Sequence, residues 1–351
     1  MSGKEILDIR SVTREELENF FLQHGEKKFR AGQAYDWLWK KSCQSFNAMT
    51  TLSKEARQLL ASQFSFNTAS VAIKQQSSDG TIKVAFGLHD GFQVEGVMIP
   101  SGDRATACIS SQVGCSLGCN FCATGKLGFT RNLTTGEIVD QVVHLSNLAP
   151  HLSNIVFMGM GEPFLNYEAV KMAIEKITAT DGLAMSPQRI TVSSIGIPKM
   201  IRKMTDDGAK FHFALSLHAA NDKKREKIIP FHRNYSLTEI IDALKYYYAH
   251  SHKRLTIEYI LLGKFNDTIA DAKELAVFCK NFPVKINIIE YNPVKETGFI
   301  KSDPEDEKAF VNFLEKRNMV VNVRKSRGQD IDAACGQLAC HSRNKQLINI
   351  L

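Results

Sequence analysis

The amino-acid sequence predicts a parallel α/β fold with a small helical region in front of it. From about residue 105 onward, apolar strand candidates alternate with helical patterns, and this alternation is typical of parallel sheets covered by helices. The strand candidates are almost continuously apolar, as expected when both faces of a sheet are buried. Both a barrel-like sheet and an open doubly wound sheet fit this pattern, and in both architectures ligands bind at the carboxyl ends of the strands.

Hydrophobic spacing and helix caps define the individual elements of this region. The first helix begins with a capping-box pattern, in which Thr134 or Thr135 is followed by Glu137. The strands are predicted at 105–110, 154–157, 189–193, 211–217, 255–262, 285–291 and 320–325. The helices are predicted at 135–148, 167–178, 197–206, 236–251, 267–278 and 304–317.

The residues before this series form two smaller parts. Residues 1–68 are predicted to form a helical accessory domain, with helices at 14–24, 30–43 and 52–63 and with Thr13 and Ser53 as N-caps. Residues 69–100 form a short β extension with strands at 69–76, 82–88 and 93–100, separated by the turns at Asp79-Gly80 and Asp90-Gly91. Residues 101–340 then form the core, and 341–351 are expected to be a C-terminal tail.

The accessory domain mixes basic and aromatic side chains, a composition that suits contact with nucleic acid. These residues are Lys27, Lys28, Phe29, Arg30, Tyr35, Trp37, Trp39, Lys40 and Lys41. A solvated helical face over a small aromatic core explains the same pattern equally well, so the sequence leaves both interpretations open.

Composition narrows the class of protein. The chain has 351 residues, 44% of them hydrophobic, which is enough to bury a sizeable core. The net charge of +7 and the pI of about 8.9 allow a nucleic-acid partner without requiring one. No apolar run approaches the roughly 18 residues of a membrane span, and the N-terminus has no export signal. We therefore expect a cytoplasmic protein without a membrane partner.

Three of the eight cysteines stand in one Gly-rich loop directly after the first strand of the series. Cys115, Cys119 and Cys122 have the spacing C-x-x-x-C-x-x-C. Clustered thiolates are soft ligands that suit zinc or an iron–sulfur cluster. Structural sites ordinarily use four ligands. Either a fourth ligand comes from elsewhere in the chain, or one metal position is open for chemistry.

Polar residues follow several other strands, where a ligand of an α/β sheet is expected. Gly161 and Glu162 stand in MGMGEP after the second strand, and Glu162 is able to accept a hydrogen bond from an amine. The other candidates at strand ends are Ser193, Ser216, Leu217, His218 and Asn292. Taken alone, His218 is better explained as a buried supporting residue than as a metal ligand.

Two further cysteines have an ambiguous setting. Cys335 lies beside a glycine in the loop after the last strand, which makes it a candidate nucleophile. Cys108 lies inside the first strand, close to the cysteine loop. Burial as small apolar residues explains each of them about as well.

These motifs together resemble the RlmN/Cfr family of radical S-adenosylmethionine (SAM) RNA adenine methyltransferases. The resemblance rests on CISSQVGC, GCNFCATGKLGFTRNLTTGEIVDQV, FMGMGEP, ALSLHA and DIDAACGQL, and it covers roughly residues 90–340. It implies a partial (βα)6 radical-SAM barrel. It also implies a [4Fe–4S] cluster on Cys115, Cys119 and Cys122, whose open iron binds SAM.

The resemblance also assigns roles to single residues. The SAM site would include Gly161, Glu162, Ser193, Ser216, Leu217, His218 and Asn292. Cys335 would carry a methyl group as S-methylcysteine, and Cys108 would resolve the enzyme–RNA adduct through a transient disulfide with Cys335. Glu95 would be the proton acceptor, a role that nothing in the local sequence indicates.

The implied reaction is methylation of adenine C2 in the peptidyl-transferase centre of 23S rRNA and at adenine 37 of tRNA. The implied partners are these RNAs and an electron donor such as flavodoxin or ferredoxin, with the enzyme a monomer. Pro163, Ala219 and the Arg327-Gly328 pair favour the C2 branch of the family over the C8 branch, the Cfr type. Ile195 is more typical of the C8 branch.

Two alternatives belong to other functional classes. In the first, a zinc-stabilised nucleic-acid-binding protein, Cys108 or a histidine would complete a tetrahedral site. In the second, a radical enzyme would act on a small molecule or a protein, and Cys335 would be structural.

Overall fold

A computed structural model describes residues 6–149, 151–295 and 297–339 of the chain. Its main feature is one ten-stranded mixed sheet flanked by helices, with a separate two-stranded hairpin near the cysteine loop. The predicted tail at 341–351 and Cys340 lie outside the described residues.

The N-terminal region is helical, as predicted. It contains α1 (Arg14–Gln23), α2 (Phe29–Tyr35) and α3 (Lys54–Gln63). Thr13 caps α1 through a capping box with Glu16, and Ser53 caps α3. The prediction of one helix over 30–43 is wrong in part, because α2 gives way to a π-helical turn at Asp36–Lys40. This wider turn allows the consecutive side chains of Leu38 and Trp39 both to be buried.

The β extension is part of the main sheet. Strands β1 (Ser70–Gln76), β2 (Ile82–Gly87) and β3 (Gln93–Ser101) form an antiparallel meander, and β3 pairs with β4 (Arg104–Cys108), the first strand of the parallel series. Gly80 adopts a φ of +85° in the tight β1–β2 turn, which explains the Asp-Gly pair there.

The remaining elements alternate along the chain as predicted, but sequence analysis did not predict the short elements Gln112–Gly114, Ala123–Lys126, Phe129–Asn132 and Asp222–Ile228. After β4 come β5 (Gln112–Gly114), α4 (Ala123–Lys126), β6 (Phe129–Asn132), α5 (Thr135–Ser146), β7 (Leu152–Phe157), α6 (Tyr167–Thr178), β8 (Ile190–Ser194), α7 (Pro198–Asp206), β9 (His212–Ser216), α8 (Asp222–Ile228), α9 (Leu237–Ser251), β10 (Leu255–Leu261), α10 (Ile269–Cys279), β11 (Val284–Glu290), α11 (Pro304–Glu315) and β12 (Val320–Arg324).

The strand order distinguishes between the two predicted architectures. Strands β4 and β7 to β12 are parallel and stand side by side in chain order. A doubly wound sheet would instead reverse its order at a switch point. Within the described residues, β1 and β12 pair on one side only, so the sheet does not close. The predicted partial barrel is confirmed.

Residues 326–339, which we call the bridging segment, span the gap between the two edges of the sheet. The segment follows β12 and contacts the turn between β1 and β2. There Gly328 N donates to Asp79 Oδ2 (3.0 Å), and Ser77 Oγ donates to Asp330 Oδ1 (2.6 Å). Burial raises the pKa of Asp79, but hydrogen bonds from Thr81 and Gly328 outweigh it and lower that pKa to about 2. The gap is thus bridged by charge-assisted hydrogen bonds rather than by strand pairing.

A buried ion pair joins the N-terminal region to the core. Arg10 donates to Asp140 of α5 at 2.7 Å, and the two side chains are only 3% and 6% exposed. Asp140 also accepts from Ala69 N (2.8 Å), just before β1. Three parts of the chain therefore meet at one carboxylate.

We expect Asp140→Ala to lower the free energy of unfolding by about 3–5 kcal/mol, because it leaves the Arg10 guanidinium buried without its close carboxylate partner. The urea midpoint and the rate of proteolysis between residues 6 and 69 measure the effect. Glu168→Ala, which removes the exposed Lys203–Glu168 pair, is the matched control and should leave both unchanged. Equal shifts for the two variants would contradict the prediction.

Candidate active site

A cavity of about 280 Å³ lies at the carboxyl ends of the parallel strands, where the sequence predicts a site. Its walls come from the cysteine loop, the strand ends and the bridging segment. The predicted site residues that line it are Cys108, Cys115, Cys119, Cys122, Gly161, Glu162, Ser193, Ser216, His218 and Cys335.

Glycine allows the cysteine loop to fold back on itself. Strands β5 and β6 pair as a hairpin, and Cys115 N donates to Gly128 O (2.8 Å). A Cβ on Gly114 would lie 1.9 Å from the Gly128 oxygen, and one on Gly125 would lie 2.8 Å from Cys119 N and O. Only glycine fits at these two positions, so the loop can bring its three cysteines to one end of the cavity.

The three loop thiols share a desolvated environment. Burial raises the pKa of Cys115 to about 12 and the pKa of Cys119 well above its ordinary value, and the neighbouring cysteines raise both further. Burial likewise raises the pKa of Cys122. Desolvated thiolates need positive charge nearby to stay ionised, and metal ions supply it. Among the described residues, no three Cys, His, Asp or Glu side chains are arranged to hold a single metal ion. Three thiolates that line one cavity, each of which would bind a different iron, fit an iron–sulfur cluster.

Glu162 is held between two strand ends. Its Oε1 accepts from Phe164 N (3.0 Å) and its Oε2 accepts from Ile195 N (3.1 Å). Burial raises the pKa of Glu162 to about 7, although these hydrogen bonds and the Arg225 charge oppose the rise. A buried carboxylate of this kind gains most from a cationic partner, such as the ammonium group of an amino acid.

The opposite wall of the cavity offers hydroxyls and a neutral imidazole. The Ser193 and Ser216 hydroxyls are 2.9 Å apart. His218 Nδ1 accepts from Ile260 N (3.1 Å), so Nε2 carries the proton. Burial and the Arg225 charge lower the pKa of His218 to about 3. His218 is therefore uncharged near neutral pH.

The structure brings Cys108 and Cys335 to the same cavity, although they are far apart in the chain. Cys108 ends β4, and Cys335 lies in the bridging segment with its side chain exposed to the cavity. Burial raises the pKa of Cys108 to about 12, and Cys335 adds to the rise. Both cysteines are free thiols, and no disulfide is present among the described cysteines. The predicted disulfide between them is thus absent from this state of the protein.

Three predicted site residues lie behind the cavity wall. Leu217 is fully buried in the core. Asn292 Nδ2 donates to Cys335 O (3.2 Å), so it holds the bridging segment. Glu95 Oε2 accepts from Ala339 N (2.8 Å), and its Oε1 lies 3.4 Å from Lys83 Nζ.

Sequence analysis did not identify several charged residues at the site, among them Lys325, which lines the cavity. Glu258 and Arg324 line the cavity and form an ion pair (3.4 Å), and Arg225 is buried behind the cavity wall. Glu258 could have been noticed as a carboxylate within the apolar run of β10. Arg225 carries no such signal, because basic residues are common on short helices.

Comparison with known proteins gives an independent result. The model of the radical SAM superfamily matches residues 109–278, and the model of the ribosomal RNA large subunit methyltransferase N-terminal domain matches residues 7–65. Radical SAM enzymes bind a [4Fe–4S] cluster and SAM, which agrees with the donor set of the cavity. No helix within the described residues is long and apolar enough to cross a membrane.

Individual relatives extend over nearly the whole chain. The probable dual-specificity RNA methyltransferase RlmN of Christiangramia forsetii is 51% identical over 95% of this chain and 96% of its own length. That of Cytophaga hutchinsonii is 52% identical over 94% and 92%. The crystal structure of a radical SAM methyltransferase from Sphaerobacter thermophilus has a TM-score of 0.89, with 38% identity over 95% of this chain and 99% of that one. The chain therefore belongs to the RlmN family of RNA methyltransferases, within the radical SAM superfamily.

Proposed function

We propose that this protein methylates C2 of adenine in 23S rRNA, in the peptidyl-transferase centre, and in tRNA, at position 37. The observation that carries the proposal is the placement of Cys335 and Cys108 in one cavity with the three loop cysteines. Two additional thiols in the cavity suit a reaction with a covalent intermediate, because one thiol can carry a group and the other can release it. The family name of the close relatives supports RNA as the substrate.

Cys115, Cys119 and Cys122 would hold the [4Fe–4S] cluster, and Glu162 would accept hydrogen bonds from the SAM amino group. The Ser193 and Ser216 hydroxyls would add polar contacts to SAM, while Leu217 and Asn292 would support the site from behind. When bound, the cluster and SAM supply a methyl cation equivalent in one step and a 5′-deoxyadenosyl radical in another.

Cys335 would take the methyl group first. Adenine C2 is electron-poor and has no lone pair, so it cannot displace a methyl group from a sulfonium by itself. A thiolate can, with the sulfur lone pair forming the new S–C bond. The Cys335 side chain is exposed to the cavity. Burial of its sulfur raises the pKa of Cys335, and the Arg324 charge opposes this rise. The S-methyl group would then lose one hydrogen atom to the 5′-deoxyadenosyl radical, and its carbon would be joined as a radical to adenine C2.

Cys108 would release the product. After the adduct has lost one electron, for which the cluster would be the acceptor, and the ring proton, the Cys108 thiolate would attack the Cys335 sulfur, forming the S–S bond as the bond between that sulfur and the transferred carbon breaks. The bond electrons leave with the carbon, which gains a proton and becomes the new methyl group. Two external electrons then return the disulfide to thiols. The neighbouring positions of Cys108 and Cys335 support this assignment.

We assign the proton acceptor role to Glu95. Its carboxylate accepts from Ala339 N, four residues beyond Cys335, and is paired with Lys83. A movement of the bridging segment would expose it to the cavity. The remaining proposals are that the region 1–68 contacts RNA, that the enzyme acts as a cytoplasmic monomer, and that flavodoxin or ferredoxin supplies the electrons.

The function is tested by anaerobic incubation of the reconstituted enzyme with SAM, a reductant and either rRNA or tRNA. Digestion and mass spectrometry should find 2-methyladenosine at the named positions in both RNAs. Finding 8-methyladenosine would assign the enzyme to the C8 branch. Unmodified adenine in both RNAs, with one zinc and no iron per chain, would favour the zinc-stabilised alternative.

Cys335→Ala should abolish RNA methylation and remove the 14-Da adduct from the protein, because the methyl group has no other acceptor. The SAM dissociation constant should change by less than about threefold, since the cavity loses only one thiol. Intact-protein mass spectrometry and equilibrium binding measure the two effects. Methylated RNA from this variant would show that Cys335 is not the methyl carrier.

Cys108→Ala should trap the RNA on the enzyme, because the Cys335 adduct then has no thiol to resolve it. Denaturing electrophoresis with labelled tRNA should show a covalent complex that ribonuclease removes. Cys43→Ala, which changes a buried free cysteine of the N-terminal region, should leave turnover intact. If the Cys108 variant gives only free RNA, Cys108 has no resolving role.

A further inference from the structure

Arg225 of α8 is an unusual residue because its charge is fully buried. Its side chain is 1% exposed, and among the residues that the structure describes no carboxylate oxygen pairs directly with its guanidinium. Burial lowers its pKa to about 10, so it remains a cation at neutral pH. A buried charge of this kind is costly unless every donor has a partner.

The partners of Arg225 are the chain segments that form the wall of the cavity. Its Nε donates to Leu217 O (2.9 Å), and one terminal nitrogen donates to Ile195 O (2.5 Å) and to Ser216 O (3.2 Å). These carbonyls lie at the ends of β8 and β9. The side chains of Ile195, Ser216 and His218 from the same turns line the cavity. One guanidinium thus fixes two adjacent loops against each other.

A histidine connects Arg225 to the surface. The second terminal nitrogen of Arg225 donates to His232 Nδ1 (2.6 Å). A guanidinium can only donate, so Nδ1 is the acceptor and the proton of this ring is on Nε2. Nε2 donates to Asp222 Oδ1 (2.7 Å), and the Asp222 side chain is 55% exposed. The imidazole ring of His232 therefore separates the Arg225 guanidinium from the Asp222 carboxylate.

The uncompensated charge acts on the cavity. Burial raises the pKa of Cys119 and of Glu162, and the Arg225 charge opposes both rises; burial lowers the pKa of His218, and the Arg225 charge lowers it further. All three residues line the cavity. A [4Fe–4S]²⁺ core with three thiolates carries one negative charge, and reduction adds a second. A fixed cation in a low-dielectric environment stabilises the more negative state.

We propose that Arg225 is a positioning residue with two separable effects on the site: its planar fork holds the β8 and β9 loops in the conformation that binds SAM, and its buried charge favours reduction of the cluster. His232 and Asp222 orient the guanidinium. The inference deepens the proposed function, because it concerns the same cavity, but it does not depend on RNA as the substrate.

Two substitutions separate the effects. Arg225→Lys keeps the charge, but a single ammonium cannot reach three carbonyls and the imidazole at once. Arg225→Met removes both the charge and the fork. We expect both variants to bind SAM about 10- to 100-fold more weakly, since each loses several hydrogen bonds to a charged donor. Only Arg225→Met should shift the midpoint potential of the cluster to more negative values.

The measurements use the reconstituted enzyme without RNA. Equilibrium binding gives the SAM dissociation constant, and a redox titration followed by electron paramagnetic resonance gives the potential. His232→Gln should retain SAM affinity, because an amide can accept from Arg225 and donate to Asp222, whereas His232→Phe should weaken SAM binding. Lys223→Met removes an exposed charge from the same helix and should change neither quantity.

Wild-type SAM affinity in both Arg225 variants would overturn the positioning role. An unchanged potential in Arg225→Met would overturn the electrostatic role. If Arg225→Met does not fold, Arg225→Lys and the two His232 variants still test the positioning role. Asp222→Asn then tests the electrostatic role, because it removes the negative charge that is connected to Arg225 through His232. The midpoint potential of the cluster should shift to more positive values in this variant. Failure of RNA methylation by the wild type would refute the proposed function and leave these results unaffected.

Discussion

The site depends on the bridging segment, since only this segment can carry Cys335 across the open side of the sheet. The parallel strands stop at β12, and β1 to β3 stand at the other edge, so strand pairing cannot close the gap. Asp79 and Asp330 fix the near part of the segment, and Lys83 donates to Asp332 O (3.4 Å) further along. Carboxylates that accept hydrogen bonds from several backbone N–H and hydroxyl groups are well suited to holding the segment in place. They provide charge-assisted hydrogen bonds where the hydrogen bonds between paired strands are missing.

The same segment is also fastened to the cysteine loop. Ala123 N donates to Gly336 O (2.7 Å), and Thr124 Oγ1 donates to Leu338 O (2.6 Å). These contacts involve residues that closely follow Cys122 and Cys335, so the loop that would hold the cluster and the thiol that would carry the methyl group are part of one hydrogen-bonded unit. A movement of the bridging segment that exposes Glu95 would consequently also move Cys335 relative to the loop. The position of Cys335 therefore depends on the hydrogen bonds between the cysteine loop and the bridging segment.

The site also depends on how the protein stabilises the charged groups in and behind the cavity. Glu162, Glu258, Arg225 and Arg324 all carry ionisable groups in or behind the cavity, where an unpaired charge is unfavourable. Backbone groups at the strand ends pair with Glu162 and Arg225, and Glu258 pairs directly with Arg324. Since those strand ends are the places where the ligands of an α/β sheet bind, the groups that stabilise the loops are also the groups that set the field around SAM.

The sequence by itself determined the local elements and the chemistry. Periodicity and caps predicted the alternating strands and helices closely, because hydrophobic spacing and capping act over a few residues. The motifs predicted the loop cysteines and Glu162 as site residues, and the family resemblance added roles for Cys108 and Cys335. Only the tertiary structure decided that Asn292 and Glu95 support the bridging segment instead of lining the cavity, and that Arg225 lies behind the wall. The reason is physical: these placements depend on contacts between residues tens to hundreds of positions apart, whose partners no local pattern records.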